Sequence, residues 1–512
     1  MKYPLGIQTF ANLRRDSYIY VDKTQHLYDL IASGKHYFLS RPRRFGKSLL
    51  ISTLDGLFRG EKALFEGLAI ADSDYDFAVH PVVKLEFAKD EFASADSLRE
   101  YIHFVLGMVA ANYNIELNAT NPNQAFEELI IKLYQQTGKQ VVLLIDEYDK
   151  PILNNLHTTN LDEIRQIMRA FYSVAKAVDE HLKFVFITGV SKFAKVSVFS
   201  GMNNLTDISM DARYADICGI TQQELESYFA QSIEQLVQLY AMSKEPLLEK
   251  VKIWYNGYCF HPIGKRVYNP YSLLSLFSKL EFKNYWFSTA TPTFLLDLLQ
   301  HKQYPLQDLT DLEVADSTFD ACEPEEMSVQ GVFIQTGYLT IKNYQDGLYQ
   351  LDFPNREVKR SFFESVATRY GQLDHGQGAS YASRLVQRLN ADDIDGFIET
   401  FKVFFADIPY QINVKHEKYY QSLFYAILNI LGFSLRVEVA TNIGRIDCVI
   451  ETNTHIYVIE FKLFASKEEA LQQILDKAYA QKFVDSDKQI ILLGVEFDHQ
   501  KRNIGGYIAQ SL

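Results

Sequence analysis

The segment from Arg41 to Ser48 places a glycine, a lysine and a hydroxyl side chain between two apolar patterns. The run HYFLS (36–40) precedes it, and the helical pattern SLLISTLDGLF (48–58) begins at its end. Backbone N–H groups at a helix N-terminus bind phosphate, a lysine there reaches the β and γ oxygens, and a serine hydroxyl binds Mg²⁺. We therefore predict a phosphate-binding loop for ATP, with Ser48 as a ligand of Mg²⁺. Its predicted nucleotide-binding residues are Arg44, Phe45, Gly46, Lys47 and Ser48.

This loop departs from the full Walker A pattern GxxxxGK[ST]. Arg41 stands where the first glycine is expected, and the remaining Gly-Lys-Ser is short enough to arise by chance. Arg41, Arg43 and Arg44 are either phosphate ligands or a solvated basic face, and we favour a ligand role for one of them.

A second apolar run, VVLLI (141–145), ends in Asp146 and Glu147. In a Walker B element the aspartate holds Mg²⁺ and the glutamate polarises the attacking water. We therefore predict Asp146 as a metal ligand and Glu147 as a catalytic residue. The alternative is a buried strand whose next loop simply begins with two acidic residues.

Two further polar residues lie near the ends of apolar runs. Thr188 lies near the end of FVFITG (184–189), where it either senses the γ-phosphate or serves as a turn residue. Asp149, two residues beyond Glu147, is predicted to be structural and to cap the following loop or helix.

A third set of polar residues lies in the last quarter of the chain, where Glu460 follows Asp447 by 13 residues. RIDCVIE and IYVIEFKL indicate two strands. Side chains two residues apart in a strand face the same side, so Glu460 and Lys462 point together, away from Phe461. Adjacent strands lie about 4.8 Å apart, so Asp447 and Glu460 can share one Mg²⁺ or Mn²⁺. This metal would activate water for phosphodiester cleavage, with Lys462 orienting the water or neutralising the phosphate.

The elements that must position these residues follow from the apolar patterns. In the first half, short apolar runs alternate with amphipathic stretches, which predicts a parallel α/β sheet. After residue 216 the pattern becomes helical, and Thr221 with Glu224 three residues later predicts a capping box. Alternating runs around Asp346 and Gly347 predict a β-hairpin. The tail predicts a helix at Glu417, three strands, a helix at 466–483 and a last strand at 488–497.

Composition limits the class of protein. The 512 residues are 47% hydrophobic and 22% charged, as in soluble globular proteins of several domains. The N-terminus lacks the apolar segment of a signal peptide, and no apolar run is long enough to span a membrane. The four cysteines are scattered without a CxxC pair, which suits a reducing compartment. We expect a cytoplasmic protein.

The net charge of −13 counts against a nucleic-acid partner, but it is unevenly distributed. From residue 401 onward there are 12 Lys/Arg and 13 Asp/Glu, a net charge of −1. The excess acidity therefore lies in the first 400 residues, and nucleic-acid binding by the tail stays possible.

Several blocks in order resemble the bacterial AAA-ATPase-like family over roughly residues 3–300. These blocks are YVDKT (20–24), RPRRFGKSLL (41–50), LLIDEYDKPI (143–152), ITGVSKFAKVSVFSGMNNLTDIS (187–209), WYNGYCF (254–260), VYNPYSLL (267–274) and YWFSTATPT (285–293). The resemblance implies that an arginine at the first loop position is usual. It also implies a nuclease-like domain at the C-terminus.

The tail resembles the restriction-endonuclease-like core of the PD-(D/E)XK superfamily, although Ile446 occupies the proline position. Gln473 resembles the helix glutamine of many members, unless it is an ordinary exposed helix residue. Glu417 resembles the acidic residue of the first helix, and Glu438 is a rival for the third carboxylate. The alternative for Asp447, Glu460 and Lys462 is a surface ion-pair ladder.

The expected fold is α/β: a P-loop NTPase parallel sheet with a helical lid, followed by a restriction-endonuclease-like αβ domain. The predicted boundaries are 1–215 for the ATPase-like domain, 216–300 for the lid, 301–395 for a connector with the hairpin, and 396–512 for the nuclease-like domain.

We expect an ATP-controlled, Mg²⁺- or Mn²⁺-dependent nuclease acting on DNA, and the protein could form an oligomer. The alternatives are a nucleotide-dependent signalling switch whose nuclease-like domain binds nucleic acid or acts on RNA, and a DNA-translocating motor, for which no second nucleotide domain is evident.

Overall fold

A computed structural model gives the fold of the protein in two compact units. It describes residues 2–156, 158–192, 198–199, 204–286, 293–302, 304–310, 312–319, 328–371, 373–374, 377–408, 417–430, 434–440, 445–462, 465–484, 486–498 and 500–512. The first unit comprises Met1–Trp286 and Leu312–Asn355, and the second comprises Phe287–Asp311 and Arg356–Leu512. The chain thus divides near residues 286, 311 and 355, and the bounds of the four domains predicted from sequence stay predictions.

The described strands fall into four sheets. They are β1 (His36–Ser40), β2 (Val82–Glu86), β3 (Val141–Asp146), β4 (Leu182–Gly189), β5 (Thr206–Asp207), β6 (Ile220–Thr221), β7 (Val267–Tyr268), β8 (Leu312–Ala315), β9 (Thr340–Gln345), β10 (Leu348–Asp352), β11 (Ser434–Ala440), β12 (Arg445–Glu451), β13 (His455–Lys462), β14 (Gln489–Asp498) and β15 (Asn503–Ser511).

Helices connect and cover these sheets. They are α1 (Phe10–Arg15), α2 (Thr24–Ser33), α3 (Lys47–Phe58), α4 (Ala95–Asn112), α5 (Pro122–Thr137), α6 (Lys150–Leu153), α7 (Leu161–Ala177), α8 (Gln222–Tyr228), α9 (Ala230–Tyr240), α10 (Lys244–Tyr255), α11 (Pro270–Lys279), α12 (Thr293–His301), α13 (Val329–Thr336), α14 (Arg356–Gly371), α15 (Gln377–Asn390), α16 (Ile394–Ala406), α17 (Glu417–Ile430) and α18 (Lys467–Asp476). No helix of the described residues is long and apolar enough to cross a membrane.

The first unit is built on a parallel five-stranded sheet in the order β2-β3-β4-β1-β5. All residues of β1 and β3 are buried, as expected for apolar strands covered on both faces. The predicted α/β fold is therefore confirmed. Because the strands are parallel, Ser40, Asp146 and Thr188 come to the same edge of the sheet, with Leu39 paired to Thr188 and Ile145 to Ile187.

The predicted capping box and hairpin are both present in the first unit. The Thr221 side chain accepts from the Glu224 N–H, and the Glu224 carboxylate accepts from the Thr221 N–H. Asp346 and Gly347 have φ values of 53° and 86°, the left-handed pair that a tight hairpin needs. The sequence did not predict β8, which pairs with β10 and makes the hairpin a three-stranded sheet.

The second unit carries a five-stranded sheet in the order β11-β12-β13-β14-β15. The predicted strands of the tail are present, but 488–497 is not the last one, because β15 pairs antiparallel with β14. The helix predicted to reach Phe483 ends at Asp476, and Ala478 has a left-handed φ of 45° that stops it.

Candidate nucleotide site and candidate nuclease site

The loop between β1 and α3 turns sharply before the helix. Arg44 and Gly46 have φ values of 66° and 93°, and a side chain at Gly46 would meet nothing within 4 Å. Lys47 is the first residue of α3 and is buried, and its Nζ donates to the carbonyl oxygens of Arg41 (2.9 Å) and Pro42 (3.1 Å). Ser48 lies in the same first turn and is partly buried. The loop thus curls around its own lysine, as a phosphate-binding loop must.

Phe45 and Arg44 differ in what their side chains do. The Phe45 ring is buried and packs edge-on against Tyr258, with the centroids 4.7 Å apart. Arg44 is exposed, and its guanidinium lies 4.9 Å from the ring centroid of Tyr271 at the start of α11. Phe45 therefore anchors the loop by its side chain and leaves its backbone as the group that can face phosphate.

Arg41 has a structural explanation that the sequence did not provide. It is buried, and its guanidinium donates to the carbonyl oxygens of Ser40 (2.9 Å), Ser209 (2.8 Å) and Tyr214 (2.9 Å). It also lies 4.0 Å from the ring centroid of Phe260. Arg41 is not among the described residues with positive φ, so glycine is not needed here. Burial lowers the pKa of Arg41 to about 10. Its described contacts are therefore those of a residue that holds the loop.

We expect Arg41→Met to destabilise the first unit. The change removes three hydrogen bonds from a charged donor and leaves buried carbonyls without them, which costs roughly 3 kcal/mol or more. Chemical denaturation of the variant measures this loss, with the exposed neighbour Arg43 changed to Met as the control. Equal unfolding free energies for the two variants would contradict the anchoring role.

Asp146 and Thr188 meet at the edge of the sheet. Both are buried, and the Thr188 hydroxyl donates to Asp146 Oδ1 at 2.5 Å. The N–H of Glu147 donates to the same oxygen at 3.1 Å. Both bonds go to Oδ1. Among the contacts of the described residues, Oδ2 is therefore left to bind a cation. This carboxylate therefore fits the Mg²⁺ that accompanies ATP.

Glu147 is held in an unfavourable backbone conformation, with φ of 53°. Such conformations cost about 1 kcal/mol or more in residues other than glycine, and they concentrate at functional sites. Its carboxyl group is partly buried, and burial raises its pKa, opposed by the nearby Lys47.

Asp149 does not cap the helix that follows it, which corrects the predicted mechanism of its structural role. Its carboxylate accepts from the N–H groups of Val190 and Ser191 and from the Ser191 hydroxyl, at 3.1, 2.7 and 2.6 Å. Gly189 permits this, because a Cβ there would lie 2.8 Å from Asp149 Oδ1. Asp149 thus ties the loop after β3 to the segment after β4. Sequence reasoning missed Gly189 and Ser191, and no local pattern marks them.

The candidate nuclease site contains three described side chains in contact. Glu460 is buried, and its Oε1 accepts from Gln473 Nε2 of α18. Lys462 Nζ donates to Gln473 Oε1 at 2.6 Å and lies 3.5 Å from Glu460 Oε1. Phe461 faces the other side of the sheet, where its ring meets Phe424, with the centroids 3.9 Å apart. The strand alternation therefore brings Glu460 and Lys462 together, and α18 adds Gln473.

Asp447 is placed by its backbone alone. In the antiparallel pair β12–β13, Cys448 lies opposite Ile459, so Asp447 and Glu460 are the next positions in register. The side chains of Asp447, Glu417 and Glu438 lie outside the described residues. Among the described side chains, no group of three or more His, Cys, Asp or Glu forms a metal site. The predicted ligand set thus depends largely on side chains that the structure does not describe.

The comparisons with known proteins concern the two domains that carry these candidate sites. Residues 4–199 match the model of the predicted AAA-ATPase family, and residues 415–506 match that of the PD-(D/E)XK nuclease superfamily. The chain belongs to the AAA-ATPase-like family and carries a PD-(D/E)XK nuclease superfamily domain at its C-terminal end. A relative in Azotobacter chroococcum mcd 1, named as an uncharacterized protein in the vnfD 5′ region, is 41% identical over 525 residues. The alignment covers 100% of this chain and 99% of that protein.

Proposed function

We propose that the protein binds and hydrolyses ATP and that this activity is coupled to a metal-dependent nuclease acting on DNA. The observation that carries the nuclease half is the buried Glu460, joined to Gln473 and beside Lys462 on one face of β13. Charged side chains are rarely buried in an otherwise apolar strand, and clusters of titratable groups with such burial concentrate at functional sites, which supports this assignment.

In the nucleotide half, backbone N–H groups of Arg44, Phe45 and Gly46 and the ammonium of Lys47 bind the phosphates. Ser48 and Asp146 would hold Mg²⁺, which would neutralise charge on the phosphate oxygens when bound. Glu147 accepts a proton from the attacking water, and Thr188 keeps Asp146 oriented through the 2.5 Å hydrogen bond.

In the nuclease half, Asp447 and Glu460 would hold Mg²⁺ or Mn²⁺, which would supply an activated water molecule when bound. Lys462 offers a positive charge to the scissile phosphate. Gln473 holds both Glu460 and Lys462, so it acts as a positioning residue.

One contact favours a second candidate, a nucleotide-dependent switch whose nuclease-like domain is inactive. Lys462 Nζ lies 3.5 Å from Glu460 Oε1, and a lysine at this distance neutralises the carboxylate without any metal. In that case the domain would bind nucleic acid without cutting it.

The test is incubation of the purified protein with plasmid DNA and with RNA, with and without ATP and with Mg²⁺, Mn²⁺ or EDTA. We expect metal-dependent nicking of DNA that is stronger with ATP and is lost in Lys462→Ala. The exposed Lys501 changed to Ala is the control. Retained binding of DNA without cleavage under every condition would favour the switch instead.

We expect Glu147→Gln to keep ATP affinity and lose turnover by roughly 10²- to 10⁴-fold, because a general base is removed while the phosphate contacts stay. In the wild type the base works only when ionised, and burial raises its pKa above the ordinary 4.5. ATPase activity should therefore rise with pH through this raised pKa. Steady-state ATPase assays and nucleotide calorimetry measure both effects. A parallel loss of affinity and turnover would contradict the assignment.

A further inference from the structure

The first unit contains a pocket of about 100 Å³ beside Gly46 of the loop. Its walls come from residues 19–21, the start of α3, and Phe229 and Leu274 of the predicted lid. One water needs only roughly 15 Å³, so the space is several times larger. Most lining side chains are apolar, whereas a buried water needs two to four polar partners. The pocket therefore suits a ligand with apolar faces and a few polar atoms at its edge.

Lys23 is the charged side chain among those that line this pocket. It is only 9% exposed, and its Nζ donates to Glu224 Oε1 at 2.6 Å and Oε2 at 2.8 Å. An ammonium group has three N–H donors, so one donor remains beyond those two bonds in the part of the chain that the structure describes. This third N–H is available to an acceptor on a ligand that enters the pocket.

The position of this ammonium is fixed by Glu224 in the first turn of α8. Glu224 Oε2 also accepts from the Thr221 N–H at 2.8 Å, in the capping box of α8. Asp22 fixes the backbone around Lys23, because its Oδ1 accepts from the N–H and the hydroxyl of Thr24. Lys23 is therefore held by elements on both sides before any ligand enters.

We propose that Lys23 is a specificity residue for the nucleoside part of the bound triphosphate. The base lies between the apolar walls beside Gly46, and the third N–H of Lys23 donates to a ring nitrogen or a ribose oxygen. This inference rests on the proposed function, in which the loop at 41–48 binds the triphosphate.

The experiment is calorimetry of ATP and of inorganic tripolyphosphate, which has the phosphates without the nucleoside. Lys23→Met should weaken ATP binding roughly ten- to a hundredfold, as the loss of a charged hydrogen bond does, and leave tripolyphosphate binding unchanged. The matched control is Lys139→Met, at an exposed lysine, which should leave both affinities at the wild-type values.

Three results separate this proposal from its rivals. Unchanged ATP affinity in Lys23→Met overturns it, and equal losses for ATP and tripolyphosphate overturn it in favour of a structural role. A wild type that binds neither probe overturns the proposed nucleotide site itself. If Lys23→Met does not fold, Glu224→Gln replaces it, since the loss of the ion pair should weaken ATP and spare tripolyphosphate. Wild-type ATP affinity in Glu224→Gln would then overturn the proposal.

Discussion

Lys47→Ala is expected to weaken ATP binding by roughly a hundredfold or more. The ammonium is buried at the start of α3 and now donates to the carbonyls of Arg41 and Pro42, so it can exchange these bonds for phosphate oxygens. Hydrogen bonds from a charged donor contribute roughly 1.5–3 kcal/mol each, and two such bonds account for the loss. Titration calorimetry with ATP measures it directly.

A second effect of Lys47→Ala concerns the acidic groups around it. Burial lowers the pKa of Lys47, while Asp146, Glu147 and Asp149 oppose that shift. Removing the lysine leaves these carboxyl groups without an opposing charge, so the variant should also bind triphosphates poorly through repulsion. Lys139→Ala, at an exposed position, is the control. ATP affinity equal to the wild type in Lys47→Ala would refute the assignment of the loop.

The sequence predicted the nucleotide loop because its residues are consecutive and lie between a strand and a helix. It could not predict the role of Arg41, whose partner Tyr214 lies 173 residues away. Such a contact depends on how the elements after β5 return to the loop, and no local pattern encodes that. For the same reason the sequence could not predict the hydrogen bonds of Asp149, which join it to residues 41 and 42 positions later.

In the second unit, the periodicity of the sequence predicted which polar side chains share one face of the sheet. Alternation in β13 places Glu460 and Lys462 on one face, and helical spacing brings Gln473 over them. The strand β15 was missed because NIGGYIAQS contains two adjacent glycines and few β-branched residues, so its apolar alternation is weak. Its pairing comes from β14, a partner that single-strand propensity does not reveal.

Glu460→Gln is expected to abolish the nuclease activity without harming the fold. Glu460 is 2% exposed, and glutamine keeps its shape while removing one of the two carboxylates that would repel each other in a site without metal. The amide is a poor ligand for Mn²⁺, so Mn²⁺ binding followed by paramagnetic resonance should disappear along with cleavage. We expect cleavage to fall by roughly a hundred- to a thousandfold or more, with a metal-free thermal midpoint at or above the wild-type value.

The control for this variant is Glu468→Gln, an exposed glutamate at the start of α18. It should match the wild type in Mn²⁺ binding, cleavage and thermal midpoint. The combination matters, because a metal site predicts that Glu460→Gln loses Mn²⁺ and gains or keeps stability. A structural ion pair between Glu460 and Lys462 predicts the opposite: lower stability and no change in Mn²⁺. If the wild type and Glu460→Gln bind Mn²⁺ equally and neither cleaves any nucleic acid, then Lys462 is the permanent partner of Glu460 and the domain has kept its fold without its chemistry.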